Sequence, residues 1–283
     1  MSGVPMRFLA IGSRLLRLGL SVGMASFFVL LVRMGSAQAA ELVEIVERGY
    51  LVVGVKDNVR PLGFRGEAGQ LQGLEIDLAR RLGEQLLGDP DAVVLQPLSN
   101  RDRLLAVVED RVDLTIARVT ATRPRSHQVR FSDAYYLDGT ALITLDPFIE
   151  RLADIRQQTI AVLTGSSTIA VVRHRLPEAR LIGVASYQDA RSRLESGDAI
   201  AFAADVSVLS GWVQEYPQYH LIPALLSTEP LCVVMPRGLQ YDDLHRQVSG
   251  TIRRWKSEGW LEERALHWGL PWANRGWNAN IKN

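Results

Sequence analysis

Apolar and polar positions alternate in blocks along the chain, and the blocks change period. "LVVGV" (Leu51 to Val55) is a short β-rich run. It is followed by "LEIDLARRLGEQLLG", where Leu74, Leu78, Leu82 and Leu86 recur at helical spacing and Gly88 marks a stop. "AVVLQPL" (Ala92 to Leu98) reads as the next strand. "SNRDRLLAVVED" reads as a helix opened by the cap-type residues Ser99 and Asn100, and "LTIA" as a third strand. This βαβαβ order predicts a mostly parallel sheet with helices on its faces. A second unit repeats the logic. "TIAVL" (Thr159 to Leu163) and "AIAFAAD" (Ala199 to Asp205) read as strands. "SSTIAVVRHRL", "YQDARSRLESG" and "VSVLSGWVQEY" read as helices. "LCVVMP" is a late strand, and helices over Tyr241–Glu258 and Trp260–Trp268 close the pattern. The polar stretch 271–283 is predicted to lie on the surface.

Ahead of this region the pattern differs. Residues 1–39 carry Arg7, Arg14, Arg17 and Arg33 and no acid. An apolar run, "LGLSVGMASFFVLLV", leads to the small-x-small "AQA" at Ala37 to Ala39. This is the form of an export signal cleaved near Ala39, which predicts a periplasmic location. The alternative is an uncleaved anchor, but the run is shorter than the roughly 20 residues that span a bilayer.

Composition adds limits. The 283 residues are 47% hydrophobic and 22% charged, with a net charge of +1. That is globular, and it carries no bulk footprint for nucleic acid. Cys232 is the only cysteine and sits in an apolar strand, so it reads as a buried thiol, with no disulfide and no cysteine-based metal site. No P-loop, G-x-S-x-G, H-E-x-x-H or G-x-G-x-x-G is present. No cofactor or metal is expected.

Open α/β sheets bind ligands outside the carboxyl ends of their strands. Lys56, Arg118 and Asp205 each fall at such an end, and "TGSST" (Thr164 to Thr168) opens a helix with hydroxyls and free N–H groups. A zwitterion with extra negative charge would satisfy that set. Each feature also has a plain reading: solvated arginines, an Asp205 that only caps the next helix, a serine-rich cap. Arg103 is harder to explain locally, because a cation in the first turn of a helix opposes its macrodipole.

These runs, together with "VEDRVDLTIARVTATRPRSHQVRFSDAYYLDG", resemble the periplasmic polar amino-acid-binding proteins of ABC importers, solute-binding family 3, over about Leu42 to Leu270. The resemblance implies a two-lobed α/β fold, the type II periplasmic binding fold, in which each lobe is a sheet flanked by helices and two hinge strands join them. Lobe 1 would be residues 41–143 plus 234–270, and lobe 2 residues 144–233. It also implies roles. Arg125 would grip the ligand α-carboxylate with Thr120 assisting, Ser166 and Ser167 would add donors, and Asp205 would take the α-ammonium. Lys56 stands where many members have Asp, and Arg118 where small residues are common. Arg103 matches an arginine that some acidic-ligand members aim at the side-chain carboxylate, and Tyr187 matches a position that can touch ligand. The expected ligand is an acidic or polar L-amino acid: glutamate, aspartate or glutamine. The expected partner is a membrane ABC permease, with a monomeric protein. The expectation is a binding protein and not an enzyme: a cyclohexadienyl or arogenate dehydratase on the same fold is the lesser alternative, because the resemblance implies that such enzymes replace the amine-binding Asp that Asp205 retains, and a sensory module that presents its ligand to a receptor is the other.

Overall fold

The computed structural model describes residues 41–272. The export-signal segment and most of the polar tail lie outside the described residues. In chain order the elements are α1 (Leu42–Arg48), β1 (Leu51–Val55), β2 (Asn58–Val59), β3 (Gly63–Arg65), β4 (Leu71–Gln72), α2 (Leu74–Leu87), β5 (Val93–Pro97), α3 (Asp102–Val108), β6 (Leu114–Ile116), β7 (Arg130–Asp138), β8 (Thr140–Thr144), β9 (Thr159–Leu163), α4 (Thr168–Arg175), β10 (Arg180–Val184), α5 (Tyr187–Glu195), β11 (Ala201–Asp205), α6 (Val206–Glu215), β12 (His220–Ile222), β13 (Glu229–Met235), α7 (Asp242–Ser257) and α8 (Trp260–His267).

Two five-stranded sheets form, in the orders β5-β1-β6-β13-β7 and β10-β9-β11-β8-β12, with a small sheet β2-β3-β4 beside them. Strand alternation sets the layers. In β1, Leu51, Val53 and Val55 join Leu74, Leu78 and Leu82 of α2 in one core, while Val52 turns to the opposite face with Ala106 and Val107 of α3. The second sheet is arranged alike. Phe202 and Ala204 of β11 pack in the cluster that holds Ala190 and Leu194 of α5, and Ala201 and Ala203 face Val172 of α4.

The structure departs from the sequence pattern at four points. The sheets are mixed rather than mostly parallel. β13 returns antiparallel to both β6 and β7, and β8 is antiparallel to β11 and β12. The strand β10 adds an edge next to β9 that the sequence reading passed over. The lobe boundaries also move. β8 lies in the second sheet and β13 in the first, so the chain changes sheet at Gly139 and again near Ser227, not at 143 and 233. The two linking segments touch there. A Cβ on Gly139 would sit 2.0 Å from the Ser227 carbonyl, so only glycine allows that approach. The start of the polar tail is likewise packed, since the Tyr136 hydroxyl donates to the Pro271 carbonyl at 3.0 Å and Trp272 lies against the Tyr136 ring.

Candidate functional site: an ion pair across the cleft

β6 ends at Ile116, and the chain then passes Ala117 into Arg118, whose φ of 51° is in the left-handed region. A non-glycine residue there costs roughly 1–2 kcal/mol, and such outliers concentrate at functional sites. The surroundings hold Arg118 in place on every side. Its N–H donates to Oε1 of Glu75 at 2.6 Å, and its carbonyl accepts from Nη1 of Arg103. Its guanidinium reaches across to the second lobe, where Nη2 pairs with Oδ2 of Asp205, while Nε lies 3.7 Å from Oδ2 of Asp138.

Asp205 stands at the N-cap position of α6, yet its side chain makes no capping bond. The capping explanation therefore does not account for this carboxylate. Asp138, at the end of β7, does that work instead. It accepts from Ser207 N at 3.0 Å, from Ser207 Oγ at 2.6 Å and from Gly139 N at 3.0 Å.

The remaining expected site residues fall into three groups. Lys56 is buried and donates from Nζ to the Leu98 carbonyl at 2.8 Å. Burial, then the Arg103 charge, lowers its pKa. Arg103, in the first turn of α3, also donates to the Ala117 carbonyl at 3.0 Å, and burial followed by Arg125 and Arg118 lowers its pKa. Arg125 donates to the Thr120 carbonyl at 2.8 Å, and Thr120 bridges to Leu231 of β13. These cations thus form a connected patch around Arg118, each already holding a backbone carbonyl while keeping further donors. On the other lobe, Ser166 has a buried Oγ without a protein partner and Ser167 is exposed. Among the described residues, neither serine is hydrogen-bonded to the Arg118–Asp205 pair. Tyr187 packs edge-on against Phe202 and Trp212.

Beside the ion pair opens a cleft of about 570 Å³, lined by Lys56, Arg118, Tyr187, Arg191, Trp212 and Tyr216 among others. Trp212 is 7% exposed and its Nε1–H has no protein acceptor. The walls come from both lobes, which approach closely. A Cβ on Gly211 would lie 2.3 Å from the Arg60 carbonyl, and Gln214 Nε2 donates to the Trp268 carbonyl at 2.7 Å.

Sequence reasoning missed Asp138 and Glu75. Glu75 is fully buried in α2, with Oε1 accepting from Tyr135 OH at 2.5 Å and Oε2 unpartnered, and burial raises its pKa to about 7. The available signal was a carboxylate between Leu74 and Ile76, in the middle of an apolar helical face.

Two sheets, two crossing links and a charged pair spanning the space between lobes define a bilobal ligand-clamping protein. Residues 51–271 match the sequence profile of the bacterial extracellular solute-binding proteins, family 3, and the chain belongs to that family, which supplies the amino-acid-binding components of ABC importers. It is 29% identical over 198 residues to a glutamine-binding protein of Geobacillus stearothermophilus, covering 69% of this chain and 76% of that one. It is 24% identical over 245 residues to a cyclohexadienyl dehydratase of Pseudomonas aeruginosa, covering 82% and 87%. Among solved structures, an ancestral cationic amino-acid solute-binding protein superposes with a TM-score of 0.68 at 24% identity, over 81% of this chain and 99% of that one, a likeness of fold. No described helix is long and apolar enough to cross a membrane.

Proposed function

We propose that this protein is the extracytoplasmic binding component of an amino-acid ABC importer and that its ligand is an acidic or polar L-amino acid, glutamate or aspartate ahead of glutamine. The observation that carries this reading is the Arg118–Asp205 pair, a cation from lobe 1 meeting a carboxylate from lobe 2 beside a cleft that both lobes line. Ligand docks on lobe 1 through Arg125, Thr120 and Arg118. Lobe 2 then brings Asp205 to the α-ammonium and Ser166 and Ser167 to the α-carboxylate. Closure follows from contacts made only in the closed form, and a membrane permease reads that form. Arg103 and Lys56 bias the site toward anionic side chains, because a cationic side chain buried among them would lack a partner.

Isothermal titration with L-glutamate, L-aspartate and L-glutamine tests this. Arg125→Ala or Asp205→Ala should each weaken binding by about 2–5 kcal/mol, as for truncating one side of a buried charged pair. Unchanged affinity in both would remove the site assignment. The dehydratase relative motivates one control: formation of an aromatic product from prephenate or arogenate would make the protein an enzyme instead.

A further inference from the structure

Asp205 is the carboxylate expected to receive the ligand ammonium, and its Oδ2 is paired with Arg118 Nη2. The neighbouring carboxylate cannot substitute freely, because Asp138 is committed to Ser207 N, Ser207 Oγ and Gly139 N and approaches Arg118 Nε only at 3.7 Å. Asp205 makes no bond to its own helix, so its carboxylate is free to exchange partners. The main chain of Arg118 cannot readily leave the site. It is pinned at both ends, by Glu75 at the N–H and by Arg103 at the carbonyl. An ammonium arriving at Asp205 therefore displaces the guanidinium but strands it beside the Lys56 and Arg103 charges.

Building on the amino-acid reading above, we infer that Arg118 is the specificity-determining residue of this site and works by partner exchange. The ligand ammonium takes Asp205 from Arg118, and the ligand's own side-chain carboxylate takes Arg118 from Asp205. With the α-carboxylate on Arg125, each of Arg118, Asp205 and Arg125 has a charged partner when an acidic amino acid binds. A neutral amino acid breaks the Arg118–Asp205 pair without replacing that anion, which leaves the part-buried cation with only the 3.7 Å approach of Asp138. An acid without an ammonium group gains nothing from Asp205.

The test is titration calorimetry on the wild type, Arg118→Gly and Arg118→Gln with L-glutamate, L-glutamine and glutarate. Glycine suits the left-handed backbone at this position, and the second variant guards against a folding defect in the first, checked by thermal melting. The wild type is expected to bind L-glutamate about tenfold or more tighter than either L-glutamine or glutarate, and both variants should lose the preference for glutamate over glutamine. If the variants keep that preference, or if glutarate matches L-glutamate in the wild type, the exchange is wrong while amino-acid binding stands. If the wild type binds none of the three, the acidic-ligand reading falls and the exchange with it.

Discussion

Asp138 caps the helix that Asp205 precedes: its two carboxylate oxygens accept from the backbone and the hydroxyl of Ser207 at 3.0 and 2.6 Å. The same residue ends β7, immediately before the chain passes from the first sheet to the second at Gly139. One carboxylate thus fixes both the crossover and the start of α6, and with it the placement of Asp205. Asp138→Ala leaves the buried Ser207 donors without their acceptor. We expect a loss of about 1–3 kcal/mol of stability in urea unfolding. An unchanged midpoint and slope would show that this cap contributes nothing.

Gly211 meets the Arg60 carbonyl where the lobes touch. A methyl at that position would lie 2.3 Å from a backbone oxygen, so Gly211→Ala forces the lobes apart or shifts the backbone. On the closure proposed above, ligand affinity should fall about tenfold, which is about 1.4 kcal/mol. The radius of gyration of the ligand-saturated variant, from small-angle scattering, should exceed that of the saturated wild type. Equal affinity and equal size would mean that this contact is not part of closure.

Glu75 ties stability to pH. Burial raises its folded pKa from the ordinary 4.5 to about 7. The folded state therefore holds its proton more tightly than the unfolded chain. The contribution of protonated Glu75 is full below about 4.5 and is lost as pH rises toward about 7. Wild-type stability should thus decline across that window relative to Glu75→Gln, and the difference should be constant above it. Parallel stability curves for the two proteins from pH 4.5 to 7.5 would contradict this.

Much of this was legible in the chain. Leucine spacing gave α2, the short apolar runs gave β1, β6, β9 and β11, and the strand-end rule singled out Lys56, Arg118 and Asp205. The exact crossover was not legible, because β7 and β8 are separated only by Gly139, with no turn or linker sequence to mark the change of sheet. Nor was the partner of Arg118: Asp205 is 87 positions away in sequence, and nothing local distinguishes a cap from an interlobe ion pair. Glu75 was hidden for a different reason. An acid in the first turn of a helix is well explained by the macrodipole, which masks the one hint of burial, its place between Leu74 and Ile76. Arg123, adjacent to so many functional candidates, is exposed.

The proposed clamp holds an acidic or polar L-amino acid between the two lobes. A thermal-shift screen of the twenty amino acids measures that most directly, since a ligand at 100 times its Kd stabilises the native state by about 2.7 kcal/mol. The largest shifts are expected with L-glutamate and L-aspartate, a smaller one with L-glutamine, and none with L-lysine or L-arginine. A largest shift with lysine, arginine or histidine, or no shift with any of the twenty, would contradict it.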